Sequence, residues 1–229
     1  MTTASEAAPS AGLAHWPLFG LVIHTPRLEL RVPTDTEYQA VCDVAVRGIH
    51  DPTTTPFAVD WTDAPPDRLR RNAFQFLWGT RAAWSPDDWH LEFAVHRDGR
   101  PIGMKALWAK DFGALGEVST GSWLGRDSQG QGYGKEMRAA VLHLAFACLG
   151  AHWATSQVFA DNPASISVNR HHGYQEDGFE LRTRRGHPAR WLRFRLAAED
   201  WLGGPRDTGI EVEGLEACAE MFARPGETA

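Results

Sequence analysis

The chain has 229 residues, of which 43% are hydrophobic, and 23 Lys and Arg stand against 29 Asp and Glu for a net charge of −6. That balance excludes a whole-molecule basic footprint for nucleic acid, and 22 Gly with 14 Pro is too little for a disordered or collagen-like polymer. The length suits one domain with extensions better than two full domains. Cys42, Cys148 and Cys218 are odd in number and far apart. They support neither a disulfide framework nor a Cys-based zinc site, and a reducing, cytoplasmic setting is expected. The N-terminus has no basic segment followed by an apolar run, and no apolar stretch approaches the ~18 residues of a membrane span, so neither secretion nor membrane insertion is expected.

Residues 1–14 are rich in Ala, Ser and Thr and read as a disordered tail; the domain is taken as 15–202, with 203–229 as a C-terminal extension. Leu28 to Val32 alternates apolar and charged residues as a half-buried strand does, and Pro33-Thr34-Asp35 caps a helix ending near Gly48. Asp51 to Pro66 is a loop with four prolines, after which Asp67 to Trp84 repeats at helical spacing. From Trp89 the period becomes two. Three strands follow, near Leu91–Val95, Ile102–Trp108 and Glu117–Leu124, with Phe112-Gly113 in a connecting loop. A glycine-rich turn then leads into a helix whose face is Met137, Ala140, Val141, Leu144, Ala145 and Cys148, ended by Gly150. Trp153 to Phe159 is a strand, Asn162-Pro163 opens a helix, and two strands near 175–184 and 189–196 close the domain. The extension adds a short strand at Ile210–Val212 and a short helix. This order predicts an α/β or α+β fold, a sheet with helices on its faces.

The chemistry concentrates in the turn Gln129-Gly130-Gln131-Gly132-Tyr133-Gly134-Lys135. A glycine-rich strand-to-helix turn leaves the first helical N–H groups unpaired and aimed at one spot, which an anion such as phosphate occupies favourably. It is not a Walker A loop, since Gln129 stands where Gly is needed and Glu136 follows Lys135. Nor is it a dinucleotide fingerprint, since Lys135 occupies the third glycine position. No Gly-x-Ser-x-Gly elbow occurs, and the adjacent His171 and His172 point about 100° apart on a helix, so neither a serine hydrolase nor a metal centre is expected.

In Gln129, Gly132 and Gly134 the turn resembles the Gln/Arg-x-x-Gly-x-Gly/Ala loop of the GNAT superfamily of acyl-CoA-dependent N-acyltransferases. Asn162-x-x-Ser165 and Asn169 to Tyr174 resemble that family's next helix. Thr25-Pro26-Arg27-Leu28-Glu29-Leu30-Arg31 and Gly121-Ser122-Trp123-Leu124 resemble its branch that acetylates ribosomal-protein N-termini. The likeness covers about residues 24–197. It implies a mixed, mostly antiparallel central sheet with helices on both faces and splayed fourth and fifth strands.

The resemblance also implies acetyl-CoA or succinyl-CoA as donor, no metal, and a primary amine acceptor: a protein N-terminus, a lysine or a small molecule. The amides of Gly130 to Lys135 would hold the CoA diphosphate, with Gln129, Gln131, Tyr133, Asn162, Ser165 and Asn169 beside it. The edge at Trp123-Leu124 would pair with pantetheine. Ser119 stands where the branch commonly has a glutamate, Glu117 is the nearest acid on the same strand face, and Ser165 is placed to protonate the leaving sulfur. Trp61 and Trp84 are candidates for the acceptor wall, and Lys105 for a succinyl carboxylate. A non-catalytic acyl-CoA sensor is the alternative, and a homodimer is left open.

Overall fold

The computed structural model describes residues 15–205 and 209–226; the tail read as disordered lies outside them. In chain order the elements are β1 (Val22–His24), β2 (Glu29–Arg31), α1 (Asp35–Arg47), α2 (Pro66–Ala82), β3 (Trp89–Arg97), β4 (Arg100–Ala109), α3 (Phe112–Leu115), β5 (Glu117–Leu124), α4 (Tyr133–Leu142), β6 (Trp153–Phe159), α5 (Pro163–His171), β7 (Gln175–Arg184), β8 (His187–Ala197), α6 (Ala198–Gly203) and β9 (Glu211–Glu213). The strands form one sheet in the order β7-β8-β6-β5-β4-β3-β2-β1-β9. Every neighbouring pair is antiparallel except β5 and β6.

Strand parity sends alternate side chains to opposite layers. Leu91 and Phe93 of β3, Leu107 of β4 and Val118 of β5 pack with Met137, Ala140 and Val141 of α4. Ala94 and Met104 pack with Tyr38, Val41 and Cys42 of α1 and Leu77 of α2. Helices thus cover both faces, as the sequence implies. α1 starts where it does because Thr34 and Glu37 form a reciprocal cap: Thr34 Oγ1 accepts from the Glu37 amide at 3.3 Å, and the Thr34 amide donates to Glu37 Oε2 at 2.8 Å.

Four features depart from the sequence reading. β1 is too short to show a period, α6 follows β8 directly, and the Phe112-Gly113 loop is a single helical turn. The helix begun at Tyr133 widens into a π-helical segment over His143–Cys148, closed by the Leu149 amide on the Leu144 carbonyl at 2.9 Å.

The C-terminal segment is built into the sheet and core. β9 pairs with β1, and Phe222 and Cys218 are buried. Phe222 lies edge-on to Trp84 at 5.5 Å and to Trp89 at 5.1 Å, and Trp84 Nε1 donates to the Met221 carbonyl at 2.9 Å. Phe222→Ala is therefore expected to destabilise the protein by about 3–5 kcal/mol, read as a lowered urea midpoint at unchanged slope.

Candidate active site

β5 and β6, the fourth and fifth strands of the sequence reading, run parallel for three pairs only, Glu117–Trp153, Val118–Ala154 and Ser119–Thr155, and then part. Beyond that point their pairing edges are free. The Gly125 amide donates to the Ile102 carbonyl, which fixes the hydrogen-bond alternation between β5 and β4. By it Gly121 and Trp123 turn their main-chain groups toward β4, while Ser122 and Leu124 turn theirs toward the gap. A cleft of about 1580 Å³ opens there, bounded by α1, α2, β5, β6, α5 and the glycine-rich turn.

The turn is held from outside so that its amides stay open. Gln129 Nε2 donates to the Ile49 carbonyl at 2.7 Å and the Leu124 carbonyl at 2.8 Å, fastening the turn to the ends of α1 and β5. Gln131 Nε2 donates to the Asp127 carbonyl at 2.8 Å, and its own carbonyl accepts from Arg27. Gly130 and Gly132 have φ of +72° and +84°, the region in which glycine carries no side-chain penalty. The amides of Lys135 and Glu136 both close on the Gly132 carbonyl. Among the described residues no carbonyl accepts from the amides of Gly130, Gln131, Gly132, Tyr133 or Gly134.

The first turn of α4 is braced by a network that the Thr25-Pro26-Arg27 segment supplies. Glu136, buried, accepts from Thr25 Oγ1 at 2.7 Å, from the Arg27 amide at 2.9 Å and from Arg27 Nε at 2.6 Å. Tyr133 is buried under the guanidinium groups of Arg27 and Arg97, so only its amide faces the anion position.

On the far wall Asn162 Oδ1 caps α5 by accepting from the Ser165 amide at 3.1 Å, and both residues line the cleft. Asn169 lies deeper, fully buried, and accepts from Arg138 Nη1 at 2.9 Å. Arg138 also lines the cleft, buried at 3% exposure. Among the described residues no carboxylate lies against it, and its Nε and Asn169 Nδ2 have no hydrogen-bond partner. Its charge pushes two neighbours away from protonation: His172, held down to about 3 chiefly by burial, and Lys105, which burial drives well below the usual lysine range.

The acid–base and acceptor candidates divide. Ser119 lines the cleft, its Oγ 2.6 Å from Thr155 Oγ1 at the point where the strands part. Glu117 is off the cleft and tied to Arg195 at 2.9 Å; parity holds along β5, but the cross-sheet partner on β8 takes the carboxylate. Trp61 and Trp123 both line the cleft, their rings 6.0 Å apart. Trp84 does not, being packed between Trp16, Trp89 and Phe222. Lys105 points to the α4 face and donates from Nζ to the Gly121 carbonyl at 3.1 Å, so it is not a carboxylate-binding group in the cleft.

The arginines of the last hairpin are engaged locally. Arg184 holds both oxygens of Asp161 at 2.6 and 2.8 Å, and Arg185 holds both of Asp63 at 2.6 and 3.0 Å, joining the hairpin tip to the 51–63 loop along one rim. Sequence reasoning passed over Arg138, Glu92 and His90. Glu92 and His90 occupy alternate positions on the cleft face of β3, and period-two parity was the one signal for them. Among the described residues no group of three or more His, Cys, Asp or Glu is placed to hold a metal ion, and no helix is long and apolar enough to cross a membrane.

Comparison with known proteins follows the same lines. Residues 27–175 match the acetyltransferase (GNAT) domain family. Among solved structures the chain is similar to Mycobacterium smegmatis RimJ in complex with CoA-disulfide (18% identity, TM-score 0.64, 89% of this chain and 94% of that one). It is similar to RimL, a ribosomal L7/L12 alpha-N-protein acetyltransferase in complex with coenzyme A (15%, 0.61, 77% and 97%). It is also similar to a chimera of the spermidine N-acetyltransferase SpeG from Vibrio cholerae and hSSAT (14%, 0.60, 78% and 99%). At these identities the likeness is one of fold.

The buried His172 carries a pH signature. Its Nε2 donates to the Lys135 carbonyl at 2.9 Å, and the ring stays neutral down to about pH 3, whereas in the unfolded chain it protonates below about 6.5. The unfolded state then binds the extra proton, so stability falls as pH drops below 6.5. His172→Gln, which keeps a donor for that carbonyl, is expected to recover about 2 kcal/mol relative to wild type between pH 6.5 and 4.5, measured by paired urea melts.

Proposed function

The chain belongs to the GNAT acetyltransferase family, and from that premise we propose that it moves an acetyl group from acetyl-CoA to a primary amine by direct attack in a ternary complex. One observation carries the reading: the opened β5–β6 edge ends at a turn whose first helical amides are free. An extended amide-bearing arm adds to such an edge as another strand does, and a diphosphate fits a ring of N–H groups at a helix N-terminus. The pantetheine arm would lie against Thr120 to Leu124, with the diphosphate over Gly130 to Gly134.

The thioester then sits where the strands part, between Ser119 and Ser165. The Ser122 N–H, the first main-chain amide past the parting that faces the gap, would stabilise the negative charge that develops on the thioester oxygen. Ser165 would supply the proton for the leaving sulfur. Acetyl is favoured over succinyl as the donor group because Lys105 is turned to the other side of the sheet. Trp61 and Trp123 would wall the acceptor, and the joined rim suits a slender amine or a flexible chain end over a folded surface.

The test is purified protein with acetyl-CoA and a panel of amines and peptides, followed by free thiol. Isotopically labelled acetyl-CoA added to cell extract, read by mass spectrometry, then identifies the acceptor as N-terminus, lysine or small molecule. Binding of acetyl-CoA with no thiol release on any amine would make the protein a non-catalytic sensor. Gly132→Ala, which forces a side chain into φ +84° beneath Arg27, is expected to weaken acetyl-CoA binding about tenfold by calorimetry, roughly 1.4 kcal/mol.

A further inference from the structure

An attacking amine must first lose a proton, and the β5 positions nearest the parting do not serve: position 119 is serine and Glu117 is held by Arg195. Four carboxylates line the cleft among the described residues, namely Asp51, Asp60, Glu92 and Asp161. Asp161 is clamped by Arg184, and Asp51 and Asp60 lie on the exposed 51–63 loop. Glu92 alone rises from the sheet floor. Its side chain is 11% exposed, and among the described residues no Lys or Arg forms an ion pair with it.

The sheet register leads from Glu92 to the reacting position. Glu92 pairs with Ala106, and Ala106 with Gly121, so one cross-strand row holds a carboxylate, a methyl group and a bare backbone. With strands about 4.8 Å apart, Glu92 stands about 10 Å across the sheet from the β5 edge, with no bulky side chain in the row between. Trp108 in the next row leans over Gly121, where a Cβ would meet its ring at 3.2 Å, so the indole covers that end of the row and the cleft passes beside the ring. The same row carries His90 and Ser119 on either side of Trp108. His90 stacks on Trp108 at 5.1 Å and places Nε2 3.0 Å from Glu92 Oε1. That contact lacks hydrogen-bond alignment, and among the described residues Nε2 has no hydrogen-bond partner.

We infer that Glu92, with His90 against it, is the proton acceptor for the incoming amine, reached through one or two waters along the cleft. This rests on the acetyltransferase reading and names a residue for it. The ammonium gives one proton through water to the Glu92 carboxylate. The freed lone pair forms the C–N bond, the C–S bond breaks with its electron pair on sulfur, and the remaining extra proton on nitrogen reaches sulfur by way of Ser165. Glu92 returns its proton to solvent. The other titratable or charged groups around Glu92 are His90 on its own strand, Tyr38 and Cys42 on α1, Arg81 on α2 and Lys105 through the sheet.

The experiment compares wild type, Glu92→Gln, Glu92→Asp and Glu92→Ala, with acetyl-CoA titration showing that each variant is folded. Glu92→Gln is expected to bind acetyl-CoA within about twofold of wild type, to lose about a hundredfold or more in kcat, and to lose the rise of rate with pH on the acid side. Glu92→Asp is expected to fall between the two, and added formate to restore turnover to Glu92→Ala. A Glu92→Gln variant within threefold of wild type and with the same pH profile overturns the assignment, as does a Glu92→Ala variant indifferent to formate. If wild type itself releases no thiol on any amine, the acetyltransferase reading fails, and this assignment with it.

Discussion

The architecture depends on a parallel contact of three residue pairs. Parallel strands need a crossover between them, and α4 with its π-helical continuation is that crossover. Had the register continued to Leu124 and Phe159, the sheet would be closed and the amides of Ser122 and Leu124 would be spent on β6. Because it stops at Ser119 and Thr155, the edge that the interior would normally consume is kept free. The glycine-rich turn lies at the mouth of that opening since it is the link from β5 to α4.

Charge is arranged around the opening in two different ways. Behind the turn, Glu136 is buried but fully met by Thr25 and Arg27, an arrangement that locks segment 25–28 to the start of α4. Under the gap, Arg138 is buried with an amide oxygen for company and no acid among the described residues. A buried guanidinium without a counter-charge is costly, and burial, with the guanidinium's charge added to it, keeps His172 and Lys105 from adding further positive charge. The donor side of the cleft is therefore electropositive, while the acceptor side, with Glu92, Asp51 and Asp60, is acidic and aromatic.

What the sequence disclosed was mostly local. The turn from Gln129 to Lys135, the cap at Asn162, the parity of β3 to β5 and the last hairpin are written in near-neighbour spacing, and the structure has each of them. The misplacements came from distant partners. Glu117 lies on the expected strand face, yet its carboxylate belongs to Arg195, 78 residues on, since β8 comes alongside β6. Trp84 ends the expected helical run, but its ring is claimed by Phe222 from a segment whose packing no period announces. Lys105 sits at an alternating position whose inward side could be known only once α4 was seen to cover it. Glu92 was hidden for the opposite reason: it reads as one more polar residue in an alternating strand until the register aligns it with Ala106 and Gly121.

At the hairpin tip Arg185 pairs with Asp63 of the 51–63 loop and Arg184 with Asp161 in the turn before α5, all of them partly exposed groups. Such pairs contribute roughly 0–1 kcal/mol each, far less than the cooperative unfolding of a domain. This margin of the molecule is held in part by exposed charge, whereas the layers beneath it are held by burial. Ionic strength, which hardly touches the buried layers, therefore bears on the entrance first.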